Sequence, residues 1–472
     1  MIPTPRLAGL VALGAVFWAA AVVEPRYIIV ALVYLLILAV VAFFDWWQSA
    51  SPKDFEARRV LDERMNLGTP NLVQLQVRYR QRNGHSKSTF PLTIRDEAPA
   101  ECLVHLGKGE LPAESVEDVS LTAPVIPQIT INASPNRTTS TRYWVTPSRR
   151  GDFEFGNISV RFPTRWQLWN LQFRRAAAQQ VRVYPDTSAV RQFELRLRQG
   201  RLRDLGLHLL KMRGQGTEFE SLRDYSTDDE FRNINWKASA RQGKLIANNY
   251  QIERDQTVLI ALDCGRMMTA LSRIRHQDAL AHPIAMSKLD WTINASVLLA
   301  HVAVSMGDAV GLLLFTDKVL QFIPPRKGAV QNNLLIETLY QLQPSMVEPD
   351  YRAAYEHLLS RKLRRALVVT FTDIVDPETS SELLTASAAL RRRHNPLCIT
   401  INNQDVLEMA AKTPDDVPQV YQKAMATRML TDRRQALETL RHHGVGVLDI
   451  ASEHLALETV NRYLELKARA TF

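Results

Sequence analysis

Two aspartates stand where carboxylates do chemistry. Asp263 closes the apolar run "TVLIALD" and Asp373 follows "ALVVTFT", so each falls at the carboxyl end of a run fit for a buried strand. In open α/β sheets the ligand crevice lies beyond those ends, which makes the pair the candidate metal ligands. The residues after Asp263 read "DCGRM". Mg²⁺ takes near-octahedral oxygen ligation, and neither Gly265 nor Met267 has a side-chain oxygen to give. The expectation is a degenerate metal site at Asp263 and Asp373, with no cofactor and Mg²⁺ bound weakly or not at all. Aspartates at strand ends also serve as helix caps, which is the structural alternative.

Other chemistry finds little support. The chain has no G-x-x-x-x-G-K-[ST], no H-E-x-x-H and no G-x-S-x-G, the patterns that cradle phosphates, hold zinc or present a serine nucleophile. The histidines in "RRRHN" and "LRHHG" have no carboxylate or cysteine at ligand spacing. Cys102, Cys264 and Cys398 lack C-x-x-C spacing and read as reduced, buried thiols. An excess of 58 Lys+Arg over 49 Asp+Glu gives +9, which by itself selects neither nucleic acid, anionic lipid nor an acidic partner. The chain reads as a non-enzyme, with a metal-dependent hydrolase or a nucleic-acid-binding membrane protein as the alternatives.

The elements that position these residues begin with a membrane anchor. "LAGLVALGAVFWAAAVV" and "YIIVALVYLLILAVVAFF" are uncharged apolar runs separated by "EPR", each long enough at about 1.5 Å per residue to cross most of a hydrocarbon core. The expectation is an antiparallel transmembrane hairpin over residues 1–50. A cleaved signal peptide ending near Ala19, Ala20 and Ala21 is the alternative, which the second run disfavours. Arg6, Lys53, Arg58, Arg59 and Arg64 flank the open ends against Arg26 in the tip, so the bulk of the chain is expected on the cytoplasmic side of a bacterial inner membrane, as a two-pass protein.

Residues 51–186 alternate with period two. "LVQLQVRYR" and "KSTFPLTIRD" flank "RNG" as a hairpin would, and "TRYWVTPSRRGDFEFGNISVRF" and "QQVRVYPD" continue the pattern, which reads as an all-β immunoglobulin-like sandwich. Trp166 and Trp169 in "RWQLWN" are either a satellite core under a loop or an exposed patch that dips toward the membrane. Residues 187–256 are a basic connector followed by a charged clasp. From 257 to 472, "TVLIALD", "DAVGLLLFT", "ALVVTFTD", "NPLCIT" and "VGVLDI" alternate with helical stretches, the pattern of a doubly wound, mostly parallel α/β sheet.

In the clasp, "DEFRNINWKASARQG" is punctuated as one helix: Asp228 or Asp229 caps it, Phe231, Ile234 and Ala238 form its packed face, and Arg241 and Gly243 stand at its stop. Arg232, Lys237 and Arg241 are then left to meet Glu218, Asp224 or Asp229. "KLIANNYQIERDQ" reads as an edge strand that turns back into "TVLIALD". The competing reading exposes Arg223, Arg232 and Trp236 to a partner.

A strand ending in Asp, with a second Asp ending a later strand, resembles the von Willebrand factor A fold. Its metal site uses D-x-S-x-S with a distal Thr and Asp, and the match at "DCGRM" is partial. The clasp sequence "GTEFESLRDYSTDDEFRNINWKASARQGKL" resembles the bacterial family called domain of unknown function 58. Glu218, Phe219, Leu222, Arg223, Tyr225, Asp229, Arg232, Ile234, Trp236, Ser239, Ala240, Arg241, Gly243 and Leu245 fit its motif. Asp228 and Asn235 depart from the usual Gly and Asp. The resemblance implies a von Willebrand A-like domain behind the motif and a binding role for Glu218, Arg223, Tyr225, Asp229, Arg232, Trp236, Ser239 and Arg241. It also implies a MoxR-type AAA ATPase as partner, in the assembly or remodelling of envelope proteins. The other partners expected are the lipid bilayer and possible homo-oligomer copies, with no nucleic acid. The strand-end edge bearing Asp373 and Arg266 at its rim is the expected docking surface for the ATPase.

Overall fold

The computed structural model describes residues 1–80, 89–105, 127–198, 218–226, 231–251, 256–273, 285–374 and 377–469. Two compact units divide near Pro185, the first covering Met1–Tyr184. The architecture is mixed α and β with several separate sheets.

The first unit starts with a two-residue strand β1 (Ile2–Pro3) and two apolar helices, α1 (Pro5–Val23) and α2 (Arg26–Trp47). α2 is long and apolar enough to cross a membrane, and only 11% of its apolar window is buried, so it is not a core helix of the unit. The helices touch along their length. Leu7 and Ala42 share one cluster with Leu10 and Leu38, and Tyr34 donates its hydroxyl to the Leu10 carbonyl at 2.7 Å. Gly14 permits this approach, since a Cβ there would meet the Tyr34 ring at 3.1 Å.

Strands follow: β2 (Phe55–Leu61), β3 (Arg64–Asn66), β4 (Asn71–Tyr79), β5 (Phe90–Asp96), β6 (Cys102–His105), β7 (Gln128–Ala133), β8 (Thr138–Pro147), β9 (Gly151–Phe155), β10 (Ile158–Pro163), β11 (Trp169–Arg175) and β12 (Gln179–Tyr184). They form sheets in the orders β1-β11-β10-β5-β7, β2-β4-β8-β6 and β3-β12-β9. The expected hairpin of β4 with β5 does not form: β4 pairs with β2 and β8, whereas β5 pairs with β10 and β7. Alternation marks a half-buried strand in either sheet, so period two cannot tell a hairpin from a crossing between sheets. The "RNG" turn lies outside the described residues. Between the sheets, Phe55 stacks on Tyr79 at 4.9 Å and meets Phe162 at 4.7 Å. Arg59, counted above among the flanking cations, is buried with Asp96, which also accepts from the Tyr143 hydroxyl at 2.6 Å.

The second unit contains α3 (Ser188–Arg198), β13 (Glu218–Asp224), α4 (Trp236–Gln242) and β14 (Ile246–Gln251) ahead of the main sheet. That sheet is built from β15 (Thr257–Asp263), β18 (Ala309–Phe315), β19 (Val319–Arg326), β20 (Leu367–Thr372), β21 (Asn395–Asn402) and β22 (Gly446–Ala451), with β16 (Leu271–Arg273) and β17 (Ala285–Ser287) paired apart from it. The order is β19-β18-β15-β20-β21-β22, parallel except for β19. All five apolar runs form strands: four are buried on both faces, and β22, at the edge of the sheet, is half-buried. The antiparallel edge β19 was not anticipated: "VLQFIPPR" carries Pro324 and Pro325, which only an edge tolerates.

Helices cover both faces. α5 (Lys288–Ser305), α6 (Ala329–Tyr340) and α11 (Leu455–Ala468) bury Leu289, Ile293, Leu335 and Leu464 on one side. α7 (Tyr351–Ser360), α8 (Pro377–Leu390) and α10 (Val417–His442) bury Tyr351, Tyr355, Leu383 and Leu437 on the other. A short α9 (Gln404–Ala411) precedes α10.

Candidate functional site

β15 occupies the centre of the main sheet, so its terminal residue, Asp263, is fully buried. Its carboxylate is satisfied by the protein itself. Oδ1 accepts the Gly265 N–H at 2.7 Å. Oδ2 accepts the Thr372 hydroxyl at 2.7 Å and the Tyr351 hydroxyl at 3.4 Å. Burial pushes its pKa up to about 6, against those hydrogen bonds and with the charge of Asp373 adding to the rise.

Position 265, in the loop after Asp263, has no room for a side chain. Ser345 N–H donates to the Cys264 carbonyl and Arg266 N–H to the Val347 carbonyl, both at 2.8 Å, closing the loop on its neighbour. A Cβ at Gly265 would lie 2.7 Å from the Val347 carbonyl oxygen. The glycine that removes a ligand from the D-x-S-x-S pattern is therefore fixed by packing.

Asp373, expected at an exposed rim, is instead only 2% exposed. Lys288 Nζ donates to its Oδ2 and Arg433 Nη1 to its Oδ1, each at 2.6 Å. Arg433 also reaches Asp449 Oδ1 at 2.7 Å and the Ile401 carbonyl at 3.0 Å. Burial opposes its charge, and Asp373 and Asp449 override burial and raise its pKa. Two cations and two carboxylates thus close a balanced network under the strand ends. Both candidate carboxylates have their oxygens engaged by protein donors, so the residues present do not fit an octahedral Mg²⁺. Arg266 is exposed and pairs with Glu348.

The clasp differs from its expected form in three ways. β13 pairs antiparallel with β14 in a sheet of its own, from Glu218↔Gln251 to Asp224↔Ile246, and does not extend the main sheet. The helix starts at Trp236, after a short 3₁₀ turn at Phe231–Asn233. Its cap is Asn235, whose side-chain oxygen accepts from Ala238 N–H at 3.0 Å while its amide donates to Asn248 Oδ1 at 2.8 Å. An amide both accepts and donates, so Asn235 caps the helix and ties it to β14 where Asp could do only the first. Asp228 and Asp229 lie outside the described residues.

The third difference is the face that packs. Ile234, Ile246 and Ala247 are buried, and Ser239, also buried, accepts the Ile246 N–H at 2.9 Å. Phe231 and Trp236, in contrast, are 70% and 58% exposed and meet edge to face at 5.4 Å. Leu222 and Leu245 are exposed on the same motif. Arg223 and Arg241 are exposed and Tyr225 is half-buried. Asp224 pairs with Lys244 at 2.8 Å, and not with Lys237 or Arg241 as expected.

Residues 221–416 match the family described as protein of unknown function DUF58. This stretch is a DUF58 segment. No curated protein matches the chain. Among solved structures, the chain is similar to conserved hypothetical protein BatB from Bacteroides thetaiotaomicron, at 13% identity over 45% of this chain and 99% of that one, with a TM-score of 0.30. It is similar to an aerotolerance-related membrane protein from Bacteroides fragilis at 12% over 45% and 98%, with a TM-score of 0.26. PilB minor pilin from Streptococcus sanguinis gives 8% over 83% and 90%, with a TM-score of 0.34. Likenesses this distant carry no functional argument.

Within the DUF58 segment the structure brings Arg223, Tyr225, Trp236, Ser239 and Arg241 onto one small substructure and leaves Asp263 and Asp373 in the sheet interior. Glu218 lies on β13, outside the DUF58 segment, and Arg232 lies in the 3₁₀ turn. Sequence reasoning missed Lys288, Tyr351 and Thr372, and it missed Arg433, which lies beyond the segment. Only Lys288 left a signal: a lysine one residue before "LDWTINASVLL" opens an otherwise apolar helix, where a positive side chain opposes the helix dipole unless a carboxylate holds it.

Proposed function

We propose that the chain is a membrane-anchored interaction protein, an adaptor that holds a MoxR-type AAA ATPase at the bacterial inner membrane, and that the clasp is its docking surface. In this reading α1 and α2 form a two-pass hairpin, the β unit is an immunoglobulin-like sandwich and the main sheet is a von Willebrand factor A-like domain. Its strand order around central β15, with one antiparallel edge, supports the last of these.

The observation that carries the reading is the exposed Phe231–Trp236 pair. Its scaffold is internally complete, through the Asn235 cap, the Ser239 bridge and the β13–β14 ladder. The aromatic faces therefore do nothing for the fold that requires their exposure, and large exposed aromatics are among the residues that anchor protein interfaces. The ATPase itself comes from the family resemblance. The strand-end edge has both its aspartates buried and paired, and its exposed Arg266 is already matched by Glu348, so docking moves from that edge to the clasp.

The test is co-purification from native membranes. Full-length chain should retain an AAA ATPase, and Phe231→Ala/Trp236→Ala should lose it while melting within a degree or two of the parent, as exposed positions do. Retention at the parent level by the folded double variant would overturn the docking surface. Absence of any ATPase with the parent would overturn the adaptor role.

A further inference from the structure

The turn between β10 and β11 is more heavily fastened than its position requires. Asp45, one 1%-exposed carboxylate in the last turn of α2, accepts the Trp166 N–H at 2.8 Å, the Thr164 hydroxyl and the Leu168 N–H at 3.3 Å. An anion near a helix C-terminus is electrostatically unfavourable, and a buried one persists only when donors surround it. Thr4, just ahead of α1, donates its hydroxyl to the Gln167 carbonyl at 2.6 Å, and its N–H to the Leu168 carbonyl at 3.1 Å. Trp169 Nε1 reaches the Ala42 carbonyl at 3.0 Å. Both helices are thereby latched to one turn. Gln167 at its apex is held at φ +59°, a left-handed conformation that non-glycine residues adopt at a cost and keep only when surrounding bonds impose it.

The latch sets Trp166 beside the aromatic end of α2. Trp166 is 43% exposed and stacks on Phe44 at 6.4 Å. Phe43, Trp46 and Trp47 are exposed next to it in sequence on α2. An exposed indole continuous with the end of an apolar membrane-length helix has one chemically matched surrounding, the headgroup layer, where an apolar ring with a polar N–H is most favourably placed. We propose that the 164–169 turn is a lipid-interface foot. Trp166 enters the headgroup region beside Trp46 and Trp47, Arg165 faces lipid phosphate, and the Asp45 latch holds the β unit at a fixed height on the bilayer. This rests on the membrane-anchor reading above.

Depth-dependent quenching tests it. The native cysteines are buried, so single cysteines at Trp166, Arg165, Trp47 and Glu63 of the full-length chain can be labelled with an environment-sensitive fluorophore. The labelled chains go into vesicles of phosphatidylethanolamine and phosphatidylglycerol that carry a headgroup or shallow-chain nitroxide. Glu63 is exposed and lies just past the far end of β2 from α2, about 25 Å along the strand, and serves as the water-exposed control. The expected result is that labels at Trp166 and Arg165 lose fluorescence as strongly as the label at Trp47, while the Glu63 label is unchanged. Asp45→Ala should reduce quenching at Trp166 and leave Trp47 quenched. If Trp47 is quenched and both turn labels behave like Glu63, the foot is wrong and the anchor stands; a protein partner would then be left as the cover for Trp166. If Trp47 also escapes quenching, the anchor reading fails and the foot fails with it.

Discussion

At the scale of single residues, Asp263 makes the sharpest prediction. Its pKa is raised by burial to about 6, so the folded chain holds the proton more tightly than the unfolded one, in which an aspartate titrates near 4. The stability this proton contributes is full below about pH 4 and is lost as pH rises through about 6, a span worth about 3 kcal/mol. Denaturant unfolding of the parent should thus show a fall in stability between about pH 4 and pH 6 that Asp263→Asn removes; an unchanged profile in the variant would assign the dependence elsewhere. Asp373 is held by a different kind of interaction. Its charge is held by Lys288 and Arg433; Arg433 keeps Asp449 without it, but a buried Lys288 left without its carboxylate costs about 3–5 kcal/mol. Asp373→Asn should lower the melting temperature of the second unit sharply, whereas Arg266→Glu, on an exposed pair, should not move it. Gly265→Ser, which would restore one hydroxyl to the loop, should cost about 1–3 kcal/mol through its clash with Val347, and calorimetry should find no gain in Mg²⁺ affinity. That both aspartates end strands was legible from "TVLIALD" and "ALVVTFT". What their oxygens touch was not, because Lys288, Tyr351 and Arg433 come from α5, α7 and α10, distant in sequence and brought together only by the winding of the sheet.

At the scale of elements, the clasp shows where punctuation misleads. The run of acids before Phe231 and the Gly243 stop punctuate the sequence as the two ends of one helix, and Gly243 does end α4, at φ +67° with its N–H on the Ser239 carbonyl. The start was misplaced because Asn235, a cap residue in its own right, sits inside the apparent periodicity and breaks it for the sake of a tie to β14. Replacing Asn235 by Ala should therefore cost more than the roughly 1 kcal/mol of a lost cap, since the side-chain bond to Asn248 is lost with it. Asn235→Asp should recover the cap and not the tie, and chemical denaturation of the three proteins ranks them. Trp236→Ala should leave stability within about 0.5 kcal/mol of the parent, where a packed tryptophan would have cost several times more. The β strands tell a parallel story. Their existence followed from alternation, their partners did not, because the information that sends β4 and β5 to different sheets resides in side-chain fit across the core and leaves no period in the sequence.

At the scale of the whole molecule, the claim most open to a direct answer is which side of the membrane the chain lies on. Arg59 drops out of the cation count, since Asp96 neutralises it inside the β unit. Arg6, Lys53, Arg58 and Arg64 still flank the open ends of α1 and α2, and the one cation of the connection, Arg26, lies 3.4 Å from Glu24. Short loops rich in Lys and Arg are retained on the cytoplasmic side, so the proposed two-pass topology predicts the connection outside and the rest of the chain inside. The buried, reduced cysteines make the experiment clean, because engineered thiols report alone. In intact cells a membrane-impermeant maleimide should modify Glu24→Cys and spare Glu63→Cys, and permeabilisation should expose both. Modification of Glu63→Cys from outside would invert the topology and with it the ATPase proposal, since such an enzyme draws on cytoplasmic ATP and could not reach a clasp on the far side. Protection of Glu24→Cys together with Glu63→Cys in intact cells would instead mean that the connection never crosses. α1 and α2 would then lie along the surface, and the latch at Asp45 would hold the β unit to an interfacial helix pair and not to a spanning one.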